Sequence, residues 1–340
     1  MNYNKKNLQN TNFNLDSQFN ITTSTVDFIN KNTEQFLFSK NRTRKFLKYV
    51  ELIPDEQKID KHLKSSTIEN INACGSWLEF RNYFRVDKTK MYSNFCKKDK
   101  LCPACARRRA SKQRNKVYKY IQENPALKDK HWYYIVLPVK HNKTESFTTV
   151  FNRAKDGLKT LRMAIKDNKR GKGRESFFSQ FNGLFYSFEV TKSKNGWNNH
   201  INLLCCSDHE IKGIYNYKQK DGSTTSQHLG IMEDWARFTD NKSYMHSINK
   251  IDTSTEEGLM TNLFEIFKYS LKFQDLKNED LLEAYSSTHN KRLLGSFGSL
   301  YGIKTDVDLD TNEVLDSEYL RIFLKYDLQI NQYYEAEQRE

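Results

Sequence analysis

Four cysteines have the spacing of a closed metal site: Cys96-x5-Cys102-Pro103-x-Cys105, with Cys74 upstream in ACGSWLEF as the natural fourth ligand. Four thiolates complete a tetrahedron around Zn²⁺ and leave no open position, so such an ion would be structural. A second set of residues lies in GLMTNLFEIFKYSLKF. At helical spacing Leu259, Leu263, Ile266, Phe267 and Leu271 form one apolar stripe, opposite Glu265, Lys268, Tyr269 and Lys272. Four residues apart, Glu265 and Tyr269 would stand one turn above each other and address the same atom. A phenol flanked by ammonium groups is a candidate nucleophile, because nearby positive charge favours the phenolate or steadies a phosphate. A solvated helix face accounts for the same pattern.

The third set lies on strands. Side chains two apart on a strand share a face, so His200 and Asn202 point together and away from Ile201, Leu203 and Cys205. In the preceding strand Glu189 joins their face if the two strands form a hairpin. An imidazole, an amide oxygen and a carboxylate could hold Mg²⁺ or Mn²⁺ with positions left for a phosphate. A histidine hydrogen-bonded within a sheet is the structural alternative.

The elements that must position these groups can be read around them. HWYYIVLPV is a strand, residues 145 to 168 a helix, and KDNKRGKGR a solvated loop. GLFYSFEVT (183 to 191) and NHINLLCC (199 to 206) are strands joined by the turn-rich KSKNGWN, which reads as a β-hairpin. A helix is expected near 228 to 238, a strand near 244 to 251, and an amphipathic helix over about 256 to 273. CARRRASKQRNKVYKYI is a basic helix whose positive side chains recur around much of its surface, which calls for phosphate or water.

Composition narrows the partners. The chain has 340 residues, and 55 Lys and Arg against 42 Asp and Glu leave a net charge of +13, which favours a polyanion. With 19 Tyr and 22 Phe alongside that charge, nucleic acid is the first candidate. No run approaches the ~20 apolar residues of a membrane span, and the polar start MNYNKKNLQNTN has no apolar signal core, so a cytoplasmic location is expected.

In order and approximate spacing, ACGSWLEF, FCKKDKLCPACARRRASK, FEVTKSKNGWNNHINLL and FEIFKYSLKF resemble the plasmid rolling-circle replication initiators of the HUH endonuclease superfamily, over roughly residues 70 to 300. That family's central motif usually reads His-Pro-His-hydrophobic-His. Here it stands as Asn198-Asn199-His200-Ile201-Asn202, which keeps the middle histidine. The resemblance implies that His200 and Asn202 are metal ligands, with Glu189 the third. An amide oxygen in place of an imidazole leans the site towards Mg²⁺ or Mn²⁺. It further implies that Tyr269 attacks the scissile phosphate of plasmid origin DNA, single-stranded or extruded as a hairpin, and that Glu265 later activates water. Arg107, Arg108, Arg109, Lys112 and Arg114, with the zinc knuckle, would contact phosphates, and Lys268 and Lys272 would flank the nucleophile. A host polymerase and helicase are implied partners.

The fold expected is α+β: a central antiparallel sheet flanked by helices, of HUH type, with an N-terminal zinc knuckle. The organisation expected is a disordered polar arm over 1 to 45, a zinc-knuckle and basic-helix region over 46 to 125, a nicking domain over 126 to 305, and a charged tail over 306 to 340. A relaxase or single-strand transposase of the same superfamily is the near alternative, and a non-catalytic zinc-dependent DNA-binding regulator the distant one.

Overall fold

The computed structural model describes residues 22–53, 63–219, 221–240, 242–253, 255–268, 276–303, 305–310, 315 and 317–336. In chain order the elements are helices α1 (Thr23–Leu52) and α2 (Ser65–Ala73), strands β1 (Trp77–Tyr83) and β2 (Lys88–Ser93), helices α3 (Pro103–Glu123) and α4 (Pro125–Lys128), and β3 (His131–Pro138). There follow α5 (Phe147–Asn168), the hairpin β4 (Gly183–Ser193) and β5 (Gly196–Ser207), and a smaller hairpin, β6 (Tyr215–Lys218) and β7 (Thr224–Gln227). The chain continues through α6 (Leu229–Phe238), β8 (Ser247–Lys250), α7 (Glu256–Phe267), α8 (Asn278–Thr288), β9 (Leu294–Gly298), β10 (Leu320–Asp327) and β11 (Gln332–Glu335). It divides into two compact units, one of residues 1–106 with 308–340, the other of residues 107–307.

The first unit is built on an antiparallel sheet of order β11-β10-β1-β2. Leu78 and Phe80 of β1 and Ile322 and Leu324 of β10 fill its core by strand alternation. Two expectations are corrected here. The arm expected to be disordered to residue 45 is helical from Thr23, with Thr22 accepting the Thr25 amide as N-cap at 3.3 Å. Its inner face carries Ile29, Phe36, Phe46, Leu47 and Val50, but the other buried positions are Thr25, Thr33, Ser39, Lys40 and Thr43. Those polar residues dilute the apolar period that a helix is recognised by. The charged tail likewise supplies β10 and β11, whose alternation is short and interrupted by charge.

The second unit is an antiparallel sheet of order β8-β3-β5-β4-β9 with helices on both faces. The hairpin read from the sequence forms as expected, Ser193 pairing with Gly196 and Gly183 with Cys206. On one face lie Leu184, Phe188, Ile201, Leu203 and Ile135. Here Phe151 of α5 meets Phe188 at a ring separation of 5.2 Å. On the other face Phe185, Leu204 and Trp132 pack with Leu259, Leu263, Ile266 and Phe267 of α7 and with Val117 and Ile121 of α3. The mixed α and β architecture with antiparallel sheets is as expected.

Two further corrections concern helices. The helix expected over 256 to 273 ends at Phe267, because Lys268 adopts ψ 141 and leaves the helical region. On α3 the expected solvent-facing charges are half-buried: Arg107, Arg108, Arg109, Lys112 and Arg114 are all intermediate in exposure, and the Arg114 guanidinium lies 5.8 Å from the Phe264 ring centroid. The basic helix is also a core helix, since Val117 and Ile121 need its other side.

Candidate functional site

Cys74, Cys96, Cys102 and Cys105 converge in the first unit, and their sulfurs all lie within 4.8 Å of one another. Local structure explains how. Helix α2 stops at Cys74, and the next residue, Gly75, takes φ +69 to turn the chain into β1. A Cβ at Gly75 would stand 2.8 Å from the Phe36 ring, so only glycine fits. The Cys96 amide donates to Cys74 Sγ at 3.5 Å, and Pro103 opens α3 with Cys105 in its first turn. The resulting Sγ separations are 3.6 Å for Cys74–Cys105, 3.5 Å for Cys96–Cys105 and 3.6 Å for Cys74–Cys102. A tetrahedron with metal–sulfur bonds of about 2.3 Å has edges of about 3.8 Å, so the four sulfurs are grouped at close to the size that Zn²⁺ requires.

All four thiols are free, and Cys74, Cys102 and Cys105 are buried. Hydrogen bonding with Cys105, Cys74 and Cys96 holds Cys102 well below the usual thiol range, whereas hydrogen bonding with Cys102 pushes Cys105 and Cys74 up. Close by, the buried Lys40 ammonium donates to Asn72 O at 2.8 Å and stands 5.0 Å from the Tyr326 ring centroid. Burial lowers its pKa, and the neighbouring Cys74, Cys102 and Cys96 draw it back up.

In the second unit the β4–β5 register sets Glu189 directly opposite His200, and Ser187 opposite Asn202. Glu189, His200 and Asn202 therefore share one face, and Asn202 Nδ2 donates to Glu189 Oε2 at 3.0 Å. Asn202 is buried, while Glu189 and His200 are half-buried and so reachable from one side. On β3, Pro138 faces His200 and Val136 faces Asn202, so neither neighbour offers a competing ligand. A carboxylate, an imidazole and an amide carry the donor types for a divalent ion with room for other ligands.

The same register places Tyr134 of β3 opposite Leu204, on the face that carries Glu189. Burial pushes the Tyr134 phenol up, and the charges of Glu265 and Glu189 push it further. One phenol thus senses both carboxylates. Sequence reasoning missed Tyr134, because HWYYIVLPV gives its alternation but not which face meets the histidine. Glu265 is half-buried on α7 and pairs with Lys268 Nζ at 2.9 Å. The apolar stripe of that helix is inside as expected, with Leu259, Leu263, Ile266 and Phe267 all buried. Tyr269, Lys272 and Leu271 lie outside the described residues.

No family model matches the chain, and no solved structure matches it. Two curated proteins do. One, named Protein rep, from Streptococcus pneumoniae serotype 2 (strain D39 / NCTC 7466), is 25% identical over 280 residues, which covers 75% of this chain and 77% of that one. The other, also named Protein rep, from Staphylococcus aureus, is 21% identical over 248 residues, or 72% of this chain and 95% of that one. The resemblance first carried by scattered motifs therefore extends over most of the chain, to proteins that bear the name Protein rep in two Gram-positive bacteria.

Proposed function

We propose that this chain initiates replication of a plasmid by nicking one strand of its origin DNA and later rejoining it, in the manner of an HUH-type endonuclease. The observation that carries the reading is the convergence of Glu189, His200 and Asn202 on the sheet face against which the Glu265 helix packs. The names of both relatives support a replication initiator over a relaxase, a transposase or a regulator.

In the proposed chemistry the Tyr269 oxygen forms a bond to the scissile phosphorus as the P–O3′ bond breaks. The 5′ end is then held as a phosphotyrosine, and the phenolic proton ends on the released 3′-OH. That hydroxyl serves a host polymerase, and a host helicase opens the duplex ahead of it. Mg²⁺ or Mn²⁺ held by Glu189, His200 and Asn202 would polarise a non-bridging oxygen and orient the phosphate. Once a round is complete, Glu265 takes a proton from the water that cleaves the regenerated origin, and the 3′-OH so released attacks the phosphotyrosine, which rejoins the strand, returns the proton to Tyr269 and prevents reinitiation. Raised by burial and by the charges of Glu265 and Glu189, the Tyr134 phenol stays protonated and would be available to donate to a phosphate oxygen. Zn²⁺ on the cysteines would fix the turn that starts α3, with Arg107, Arg108, Arg109, Lys112 and Arg114 contacting origin phosphates beside it. These activities belong to a cytoplasmic protein, and no helix among the described residues is long and apolar enough to cross a membrane.

Covalent capture tests the proposal. Single-stranded oligonucleotides tiled across the plasmid that carries the gene are incubated with the protein and Mn²⁺, then run on a denaturing gel. One tile should give a shifted protein band that Tyr269→Phe abolishes. A wild-type protein that gives no band with any tile, or a Tyr269→Phe protein that keeps it, overturns the reading.

A further inference from the structure

Helix α5 carries Lys155, Lys159, Arg162 and Lys166, and its C-cap is Lys169, all five exposed. At 3.6 residues per turn they fall on a stripe roughly 80° wide, while Asp156 and Asp167 of the same helix lie off it. The stripe borders two adjoining hollows. One, of about 490 Å³, is lined by Lys155, Lys159, Arg162, Lys291 and Arg292 around a floor that includes Phe151, Tyr186 and Phe188. The other, of about 420 Å³, shares Lys159 and Arg162 and adds Lys166, Lys169 and Phe297. No carboxylate lines either hollow.

Such a concentration of like charge costs energy unless an anion relieves it. Among the described residues Lys155, Lys159, Arg162 and Lys166 form no ion pair, although carboxylates elsewhere in the chain are used freely for pairing. Two of the cations are held in place by rings, Lys291 Nζ at 5.3 Å from the Phe151 centroid and Arg162 Cζ at 5.4 Å from that of Phe297. Burial lowers the Lys291 pKa, and repulsion from Lys155 lowers it further.

We infer that this groove, formed by α5 with β4 and the residues leading into β9, is a second DNA-binding surface that tracks the sugar–phosphate backbone. It lies on the sheet face opposite Glu189, His200 and Asn202, because α5 packs on Phe188 whereas α7 packs on Phe185. Residues 155 to 166 rise about 16 Å along the helix, enough to follow a few successive phosphates. Few polar groups other than cations line it, so it grips without reading sequence. The surface could hold DNA beside the nick site while the covalent step proceeds on the other face. This inference rests on the reading that the chain handles DNA.

The test uses the whole protein and a mixed-sequence single-stranded oligonucleotide, with affinity measured across a range of salt. Each neutralised phosphate contributes about 0.7 to the log–log slope on a single strand, so Lys155→Gln, Lys159→Gln and Arg162→Gln together should flatten it by about 2. A triple variant of equal charge loss at the exposed Lys128, Lys212 and Lys218 should flatten it less. Lys155→Arg, Lys159→Arg and Arg162→Lys together should keep the slope, which separates lost charge from a folding defect. An unchanged slope in the Gln variant, or equal flattening in both Gln triples, overturns the groove. Wild-type protein that binds no DNA at any salt sinks the underlying reading instead. If wild type binds and forms its Tyr269 adduct but the groove variants behave normally, only this inference falls.

Discussion

Asn202 donates its side-chain amide to Glu189 at 3.0 Å across the β4–β5 hairpin, a buried amide steering a half-buried carboxylate. The donor nitrogen is committed to the neighbour, which leaves the amide oxygen as the atom that can serve a cation. Replacing Asn202 by Asp removes that donor and sets two carboxylates side by side. Asn202→Asp should lower the melting temperature in chelator, and Mn²⁺ should restore it by more than in wild type. A melting curve indifferent to Mn²⁺ in both proteins would count against a cation at this face. Asn202→Ala should cost about 1.5–3 kcal/mol in chelator, the worth of a hydrogen bond to a charged group.

The cysteine cluster makes a separate prediction. Protein purified without added metal should release a single zinc ion per chain when its thiols are modified, as read by a chromogenic chelator. Cys105→Ser should lose the ion and melt at lower temperature, because binding energy at a preorganised site is folding energy. Metal analysis that finds no zinc, with thiols reacting freely in the native protein, would refute it.

Gly75 is a sharper probe of the same region. With φ +69 and a Cβ that would meet Phe36 at 2.8 Å, Gly75→Ala pays both the left-handed backbone and the clash. A loss of at least about 1–2 kcal/mol is expected from the backbone conformation alone. Chemical denaturation measures it, and Gly75→Ala at wild-type stability would show that the turn is not held as described.

Acid should loosen the second unit through a histidine pair. The buried His246 Nε2 accepts the His228 amide at 2.9 Å, and the His228 side chain caps α6 by accepting the Gly230 amide at 3.0 Å. Burial lowers both pKa values from 6.5, so the folded state holds them neutral. The unfolded chain then binds more protons below about pH 6.5, and stability is lost as pH falls through the depressed folded values. Melting temperatures from pH 7.5 down to 5 should fall more steeply for wild type than for His246→Gln. Parallel curves would assign the acid sensitivity to other groups.

Much of the second unit could be read in advance because its signals are local. The strands of the β4–β5 hairpin are apolar, aromatic and β-branched runs of strand length around a turn-rich link, and counting by twos along them puts Glu189, His200 and Asn202 on one face. The cysteines were legible for the same reason: thiol spacing carries its own chemistry. Other features depend on partners distant in sequence. Helix α1 hides its period behind buried Thr33, Lys40 and Thr43; Thr33 is satisfied by the Ile29 carbonyl one turn back, and Lys40 by Asn72 O of α2. Strand β10 is short and charged, and pairing with β1 makes it a strand. The half-burial of the α3 arginines reflects what that helix covers, and its composition says nothing of that. The end of α7 at Phe267 could not be read either, since FKYSLKF contains no proline or glycine to mark it.

The sheet beside the cysteines takes strands from distant parts of the sequence, residues 77–93 and 320–335. Trp77 finds Lys325 and Asn82 finds Leu320 only after all the intervening sequence has been made. During synthesis, then, β1 emerges with one edge unsatisfied and waits for residues 320–327 to leave the ribosome. A stop codon between β2 and residue 320 would leave that edge without its partner, a row of unpaired N–H and C=O groups open to pairing with another chain.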